Sequence, residues 1–330
     1  MDFFSGLCIG IGSPDRFGFM DLMEQPSHYT PEGDLRPRTG FLEFGSTSIK
    51  FYVVEIAGEK AGEIVEEVKV PWDVGYDVFL HGRIGPGTMA LCLEALRNLR
   101  ARFPDIAFEG VTGVGTSALR EAQNVEVFKR MLKETLRVKL HIIEGGIEAF
   151  LLETGFKEKV REYPTALFDL GGGSLELVEY LSPSATKKTT IPVGAIRLHC
   201  RLRRRTDLFD YVREGRRIIV EGLREHLVGT PPKFQLLVGT GGTVRSVVQM
   251  LKDDRFGLLD IQRLIQEEIH GRPAQALPPH RRRVFLPGLL VIECLFSVLR
   301  IDEISYQSAS VKKGILSLAR MIPMAGAAAG

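Results

Sequence analysis

Two short turns of small residues, 126 positions apart, each follow a carboxylate on an apolar strand. The first reads Glu43-Phe44-Gly45-Ser46-Thr47-Ser48 and the second Asp169-Leu170-Gly171-Gly172-Gly173-Ser174. Gly, Ser and Thr between two apolar runs predict a β-hairpin with a tight turn. Successive backbone N–H groups in such a turn form a concavity that suits a phosphate. Gly45, Ser46, Thr47 and Ser48, and Gly171, Gly172, Gly173 and Ser174, are therefore candidate phosphate-binding residues. Glu43 and Asp169 stand at the lip of each turn, where a carboxylate can hold a divalent cation or its water shell. A charge ending an apolar strand, as Asp169 does, is costly unless paired or bound to metal. Glu176 alternates with Leu175 and Leu177, the pattern of a strand residue facing solvent. One turn alone says little. Its repetition points to a duplicated phosphate-handling fold with a cleft between the halves.

Other residues could act at that cleft. Glu148 opens a helix behind Glu144-Gly145-Gly146-Ile147. A carboxylate there could take a proton from an attacking water, or simply complement the helix dipole. Thr116-Ser117-Ala118-Leu119-Arg120 places two hydroxyls and an arginine after a strand end. They could orient and bind phosphate, or form an N-cap beside a solvated arginine. Gly239-Thr240-Gly241-Gly242-Thr243 precedes a helix, so Gly242 and Thr243 could bind an anion through backbone N–H groups. The glycine spacing is neither a P-loop nor a dinucleotide fingerprint. Arg201, Arg203, Arg204 and Arg205, with Arg281, Arg282 and Arg283, form basic runs. They read either as solvated helix faces or as an electropositive track for a polyanion. No DNA-reading module accompanies them.

The elements that must carry these residues come in two similar series. Residues 1–38, rich in Pro, Gly and Ser, read as an irregular extension. A hairpin over Phe41–Ile56 is followed by a strand at Glu63–Val70 and a helix at Thr88–Phe103. Then come a strand at Gly110–Thr116, a helix at Ala118–Leu136, a strand at Leu140–Ile143 and a helix at Gly146–Gly155. The second series is a hairpin at Ala166–Glu179, a strand at Thr189–Val193 and a basic helical region at Arg201–Leu227. A strand at Gln235–Val238, helices at Val244–Leu251 and Phe285–Leu299, a strand at Glu303–Tyr306 and a last helix at Ser310–Met321 complete it. This predicts two α/β domains, 39–160 and 161–309, with the final helix (310–330) packing back on the first. The 330 residues, 44% hydrophobic and 25% charged, suffice for two globular domains. A net charge of +2 excludes a polycation. No apolar run reaches transmembrane length, and no signal peptide is evident. Four scattered cysteines, Cys8, Cys92, Cys200 and Cys294, fit reduced thiols of a cytoplasmic protein.

These motifs, in this order, resemble the Ppx/GppA family of exopolyphosphatases and guanosine pentaphosphate phosphohydrolases. The family's Asp-hydrophobic-Gly-Ser-Asn-Ser loop corresponds to Glu43–Ser48, and its Thr-Ser-Ala-hydrophobic-Arg-Glu-Ala-x-Asn segment to Thr116–Asn124. Its Ile-Ser-Gly-x-Glu-Glu-Ala segment corresponds to Ile143–Ala149. Its Asp-hydrophobic-Gly-Gly-Gly-Ser-x-Glu loop is matched in full by Asp169–Glu176, and Gly-Ala-hydrophobic-Arg-Leu appears at Gly194–Leu198. The Gly-Thr turn falls at Gly242-Thr243, and the closing strand–helix ends in Lys313–Leu316. The resemblance implies two actin-like domains facing across a cleft, the RNase H-like fold of the acetate kinase–Hsp70–actin superfamily. It implies Glu148 as general base, and Asp169 and Glu176 in handling Mg²⁺ (or another divalent cation) and phosphate. The implied substrates are inorganic polyphosphate and guanosine penta- or tetraphosphate, with no membrane partner; a homodimer is compatible with it.

The chain departs from that pattern at several points. Glu43 replaces the loop aspartate and Thr47 its asparagine. Ile147 replaces the first glutamate of the Glu-Glu-Ala pair, Glu144 the serine after the strand, and Ala309–Lys313 the usual closing residues. The resemblance stops after the two core domains, so the helical C-terminal domains of longer relatives are not expected. The expected activity is Mg²⁺-assisted hydrolysis of a terminal phosphate from polyphosphate or pppGpp. The rivals are a binding protein that regulates a partner, which Glu43 and Ile147 favour, and an ATP-dependent kinase of the superfamily.

Overall fold

The structure, a computed structural model, describes residues 38–308 except 58–59, 158–159, 161, 228, 230–231 and 272–276, together with Gly314. The expected extension and final helix thus lie, but for Arg38 and Gly314, outside the described residues.

The two hairpins nucleate two mixed sheets. In the first, β1 (Arg38–Phe44), β2 (Ser48–Ala57) and β3 (Lys60–Pro71) form an antiparallel meander. Parallel strands β4 (Thr112–Gly115) and β5 (Lys139–Ile142) add on the other side of β1, giving the order β3-β2-β1-β4-β5. The second sheet repeats the plan with β6 (Thr165–Leu170), β7 (Leu175–Ser182) and β8 (Ala185–Ile191) antiparallel. Strand β9 (Leu236–Gly241) is parallel to β6. It is followed outward by β11 (Glu303–Tyr306) and by an edge strand, β10 (Arg255–Gly257). Two separate apolar cores cover these sheets. The central strand β6 is buried at five of its six positions, as a strand covered on both faces must be. On the edge strand β3, by contrast, Glu63 to Val70 alternate exposed with half-buried.

The helices are α1 (Val74–His81), α2 (Pro86–Arg102), α3 (Ser117–Glu121), α4 (Val125–Leu136) and α5 (Gly145–Thr154) in the first half. The second half has α6 (Ala195–Leu202), α7 (Leu208–His226), α8 (Gly242–Leu251), α9 (Leu258–Ile269) and α10 (Pro279–Leu299). Several differ from the sequence expectation for identifiable reasons. The single helix expected over Ala118–Leu136 is broken into α3 and α4. Asn124 clamps the Ile84 peptide from both sides, its Oδ1 accepting from Ile84 N at 2.8 Å and its Nδ2 donating to Ile84 O at 2.9 Å. Gln123 N–H donates to Gly82 O at 2.9 Å. The Gln123 bond takes a backbone donor that a continuous helix would need, and the Asn124 clamp fixes the chain at that break. The basic region Arg201–Leu227 is divided because Asp207 caps α7, accepting from Asp210 N at 2.7 Å. Helix α10 begins six residues earlier than expected, with Pro279 in its first turn. Helix α9 was missed although Ile261, Leu264 and Ile265 have helical spacing and Asp260 caps Gly257 N at 3.0 Å. Among the described residues no helix is long and apolar enough to cross a membrane.

Glycine is required where α6 meets the second turn. A Cβ on Gly194 would collide with the backbone of Gly172 and Gly173. Gly194→Ala should therefore destabilise the fold by about 1–3 kcal/mol, the scale of overpacking. Gly87→Ala, in α2 with open space around it, should be neutral or stabilising by up to ~1 kcal/mol. Urea unfolding of both variants checks this, and equal effects would show that the Gly194 contact is dispensable.

Candidate active site

Both turns are closed in the same way. Gly45 N–H donates to Ser48 O, and Gly171 N–H to Ser174 O, each at 3.0 Å. The segment after the third strand of each meander then draws the turn carbonyls toward a helix N-terminus. Gly75 N–H donates to Ser46 O at 2.9 Å and Trp72 N–H to Thr47 O at 3.0 Å. In the second half Ala195 N–H donates to Gly171 O at 3.1 Å, while Ile196 and Arg197 both donate to Gly172 O, at 2.8 and 3.1 Å. In a trans peptide the next N–H points opposite to the carbonyl. The N–H groups of Thr47, Ser48, Gly172 and Gly173 are thereby turned away from α1 and α6, as an anion cradle requires. The turns also meet each other. A Cβ on Gly172 would lie 3.0 Å from Ser46 Cβ and 3.1 Å from Thr47 Cγ2.

The hydroxyls and the arginine of the third motif lie against the first turn. Thr116 N–H donates to Phe44 O at 3.2 Å, which fixes the start of α3 to the end of β1. Thr116 and Ser117 are both buried. Arg120 leaves α3 toward α5, where its Nη1 donates to Ile143 O at 2.7 Å and to Glu148 Oε2. Glu148 stands in the first turn of α5, only 6% exposed. Gly145 lets that turn approach β8, since a Cβ there would come within 2.6 Å of Thr190 Cγ2. Burial is the main influence on Glu148, and the charges of Asp169 and Glu43 add to it. Against the pull of Arg120, they raise its carboxyl to about 7.

Strand register sets the rest of the site. On the first sheet Glu43 pairs with Lys50, and Lys50 with Lys69. On the second, Asp169 pairs with Glu176, Glu176 with Thr190, and Asp169 with Thr240 of β9. Lys50 Nζ donates to Glu43 Oε1 at 2.5 Å and Tyr52 OH to Oε2 at 2.8 Å, so both oxygens of Glu43 are engaged. Glu43 holds Lys50 above its usual range despite burial. Asp169 is raised to about 6, chiefly by burial and further by Glu43, with Lys50 opposing. Glu176 accepts from Ser174 Oγ at 2.6 Å. Burial and the neighbouring charges of Glu148 and Asp169 push its carboxyl well up. Gly241, at φ +99°, is a conformation suited to glycine, and a Cβ there would strike Asp169 Oδ1 at 2.7 Å.

Facing these carboxylates is a group of cations of which the sequence reading names only Arg281. Desolvation and the charges of Arg281, Lys50 and Arg245 lower Lys69 to about 8. Burial, then Arg245, lowers Arg281. The Arg281 guanidinium occupies the space a Cβ on Gly242 would take, at the N-terminus of α8. A cation and the positive end of a helix share one spot, an arrangement that an anion would relieve. Thr243 lies against Gly288 of α10, where a Cβ would come within 2.5 Å of its Oγ1. Of this group the sequence reading singles out Arg281 alone, as part of a basic run; Lys69 and Arg245 belong to no motif.

The structure divides the expected arginine track. Successive residues of a helix point about 100° apart, so Arg281, Arg282 and Arg283 at the start of α10 take three directions. Arg281 faces Gly242, and Arg282 Nε donates to Leu277 O at 2.8 Å. Arg283 pairs with Asp73 at 3.1 Å and lies 5.0 Å over the Tyr76 ring. Arg205 pairs with Asp210 at 2.7 Å. Arg201, Arg203 and Arg204 are exposed at and beyond the end of α6.

Among the described residues no three His, Cys, Asp or Glu side chains converge as a ready-made metal shell. Asp169 and Glu176 are hard oxygen donors whose charges burial and mutual repulsion disfavour, which a cation would offset.

Comparison with known proteins agrees with this architecture. An exopolyphosphatase-like protein of known structure superposes with a TM-score of 0.71 at 20% identity, over 84% of this chain and 97% of that one. An exopolyphosphatase from Cytophaga hutchinsonii gives 0.69 at 19% identity, over 86% and 98%. At such identities the likeness establishes the fold alone, two α/β halves built on one plan. By sequence, a guanosine-5′-triphosphate,3′-diphosphate pyrophosphatase of Pseudoalteromonas translucida is 24% identical, over 86% of this chain and 60% of that protein. The chain thus spans about 60% of the length of the relatives it matches by sequence. With the ordered motifs placed around one cleft and residues 53–320 matching the family as a whole, the chain belongs to the Ppx/GppA phosphatase family.

Proposed function

We propose that this protein hydrolyses the terminal phosphoanhydride of a linear polyanion, either inorganic polyphosphate or the 5′ end of pppGpp. The observation that carries the reading is Glu148. It is a buried carboxyl brought to about 7 and oriented by Arg120, beside two phosphate cradles and the carboxylates Asp169 and Glu176. A base tuned near neutrality takes a proton efficiently at working pH.

The turn N–H groups would hold the oxygens of the terminal phosphate. Arg120 keeps Glu148 Oε2, and among the described residues no hydrogen bond holds Oε1. Oε1 would accept the proton as water oxygen bonds to phosphorus and the bridging P–O bond breaks. The shortened chain leaves as its phosphate anion, orthophosphate is released, and Glu148 returns its proton to solvent. A Mg²⁺ ion held by Asp169 and Glu176 together with phosphate oxygens would neutralise charge on the transferring group. Lys69, Arg245, Arg281 and the start of α8 would hold the remaining phosphates, a role that replaces the surface arginine track. Neither the regulatory nor the kinase reading has a feature of the site in its favour beyond the engaged Glu43 and the apolar Ile147 next to Glu148.

Three measurements test this. Phosphate release from polyphosphate and pppGpp with Mg²⁺ should fall about 10²–10⁴-fold in kcat for Glu148→Gln. For the unaltered protein kcat/KM should fall as pH drops below about 7, where Glu148 becomes protonated. Unimpaired turnover by Glu148→Gln would refute the role of this residue. No phosphate release by the unaltered protein from either substrate would refute the function.

Asp169 gives a stability signature. Its carboxyl titrates near 6 when folded and near the ordinary value of about 4 when unfolded. The folded state therefore binds the extra proton, and that stabilisation is complete below about 4 and lost as pH rises through about 6. Asp169→Asn should melt higher than the unaltered protein at pH 8, with the gap closing toward pH 4, and millimolar Mg²⁺ should narrow the gap at pH 8. A pH-independent difference would show that Asp169 carries no such strain.

The cation group predicts salt dependence. Each phosphate engaged releases counterions, by analogy with nucleic acids. Binding of long polyphosphate should weaken with salt, and Lys69→Gln with Arg245→Gln should flatten that slope. Equal slopes for both proteins, measured by titration calorimetry, would place the chain elsewhere.

A further inference from the structure

Arg197, in the first turn of α6, joins the two halves at the site. Its backbone N–H donates to Gly172 O at 3.1 Å and its Nε to Gly173 O at 2.7 Å. One residue thus holds two successive peptides of the second turn, and with them the directions of the Gly173 and Ser174 N–H groups. The guanidinium then crosses to the first half. Its Nη1 donates to Glu121 Oε2 at 2.8 Å, and its Nη2 to Ser117 Oγ at 3.2 Å and to Glu121 Oε1. The guanidinium carbon lies 4.2 Å from the centroid of the Phe79 ring of α1. The contact it spans is tight, since a Cβ on Gly173 would come within 2.8 Å of Phe79 Cζ. Ser117 and Glu121 flank Arg120, the partner of Glu148, on the short helix α3.

We infer that Arg197 is a positioning residue for phosphate transfer, locking the second turn to the helix that orients the base. The inference rests on the function proposed above. Only a planar, bidentate cation can bond two carboxylate oxygens, a hydroxyl and a carbonyl together while stacking on a ring; an ammonium cannot. With the fork in place, the second turn and Glu148 share one rigid frame. Without it, the Gly173–Ser174 peptide loses its side-chain anchor and the α3 hydroxyl loses its donor.

The test uses Arg197→Ala, Arg197→Lys and Glu121→Gln in the full chain, with long-chain polyphosphate and Mg²⁺. Both arginine variants should lose about 10²-fold in kcat/KM, the scale of a misplacement of about 1 Å, with the larger share in kcat. Millimolar guanidinium should restore part of the activity of Arg197→Ala but none of Glu148→Gln. Amide exchange over 171–175 should quicken in both arginine variants while the strand β6 stays protected. If Arg197→Ala does not fold, Arg197→Lys and the isosteric Glu121→Gln carry the same comparison. Unaltered exchange over 171–175 overturns the inference whether or not the protein is a hydrolase. So does wild-type kcat/KM in Arg197→Lys in a protein that releases phosphate. Absence of release by the unaltered protein, with exchange quickened in the variants, would instead remove the function and leave the lock standing.

Discussion

The site depends on where the carbonyl oxygens of two glycine turns are sent. A turn cannot offer N–H groups to an anion while its own carbonyls face the same way, because the repulsion would cancel the attraction. Here α1 and α6, with Trp72 before α1, take those carbonyls onto backbone donors. The requirement explains glycine at Gly75 and Gly194, where a Cβ would press on Ser46 O and on the second turn respectively. It also explains why each meander is followed at once by a helix: the third strand must deliver an N-terminus to the turn.

The same backbone carries opposite charges in its two copies. Register equates Glu43 with Asp169, Lys50 with Glu176 and Lys69 with Thr190. The first sheet therefore brings mainly cations to the cleft and the second mainly carboxylates. Lys50 favours the charged form of Asp169, and Glu43 is held by Lys50 and Tyr52. The change from aspartate to Glu43 thus reads in space as a longer arm that reaches a lysine and a tyrosine. It pairs within the first copy instead of joining Asp169 and Glu176 of the second.

Much of this was legible in the sequence. The two turns and most of the strand and helix order follow from local patterns that tertiary contacts reinforce, whereas the pairing of Glu148 with Arg120 is seen only in space. What escaped depended on distance. Asn124, at the end of the Thr116–Asn124 motif, turned out to clamp Ile84 rather than to continue a helix. Helix α1 was invisible because its apolar residues face both the first core and α6, which leaves no amphipathic stripe. The group of Lys69, Arg245 and Arg281 draws one residue each from β3, α8 and α10. No window of sequence contains it. The consecutive arginines 281–283 pointed to a surface track because a run in sequence suggests a patch, whereas a helix scatters its neighbours.

The Asn124 clamp also has a mechanical meaning. It welds the corner after α1 to the corner after α3, so the cap of the first turn and the platform of Arg120 cannot shift independently. Gly314 lies next to the carbonyl of Leu151 in α5, the helix that bears Glu148. Load on the corner after α1 is therefore carried through the Asn124 side chain to α3 and, by way of Arg120, to the seat of Glu148.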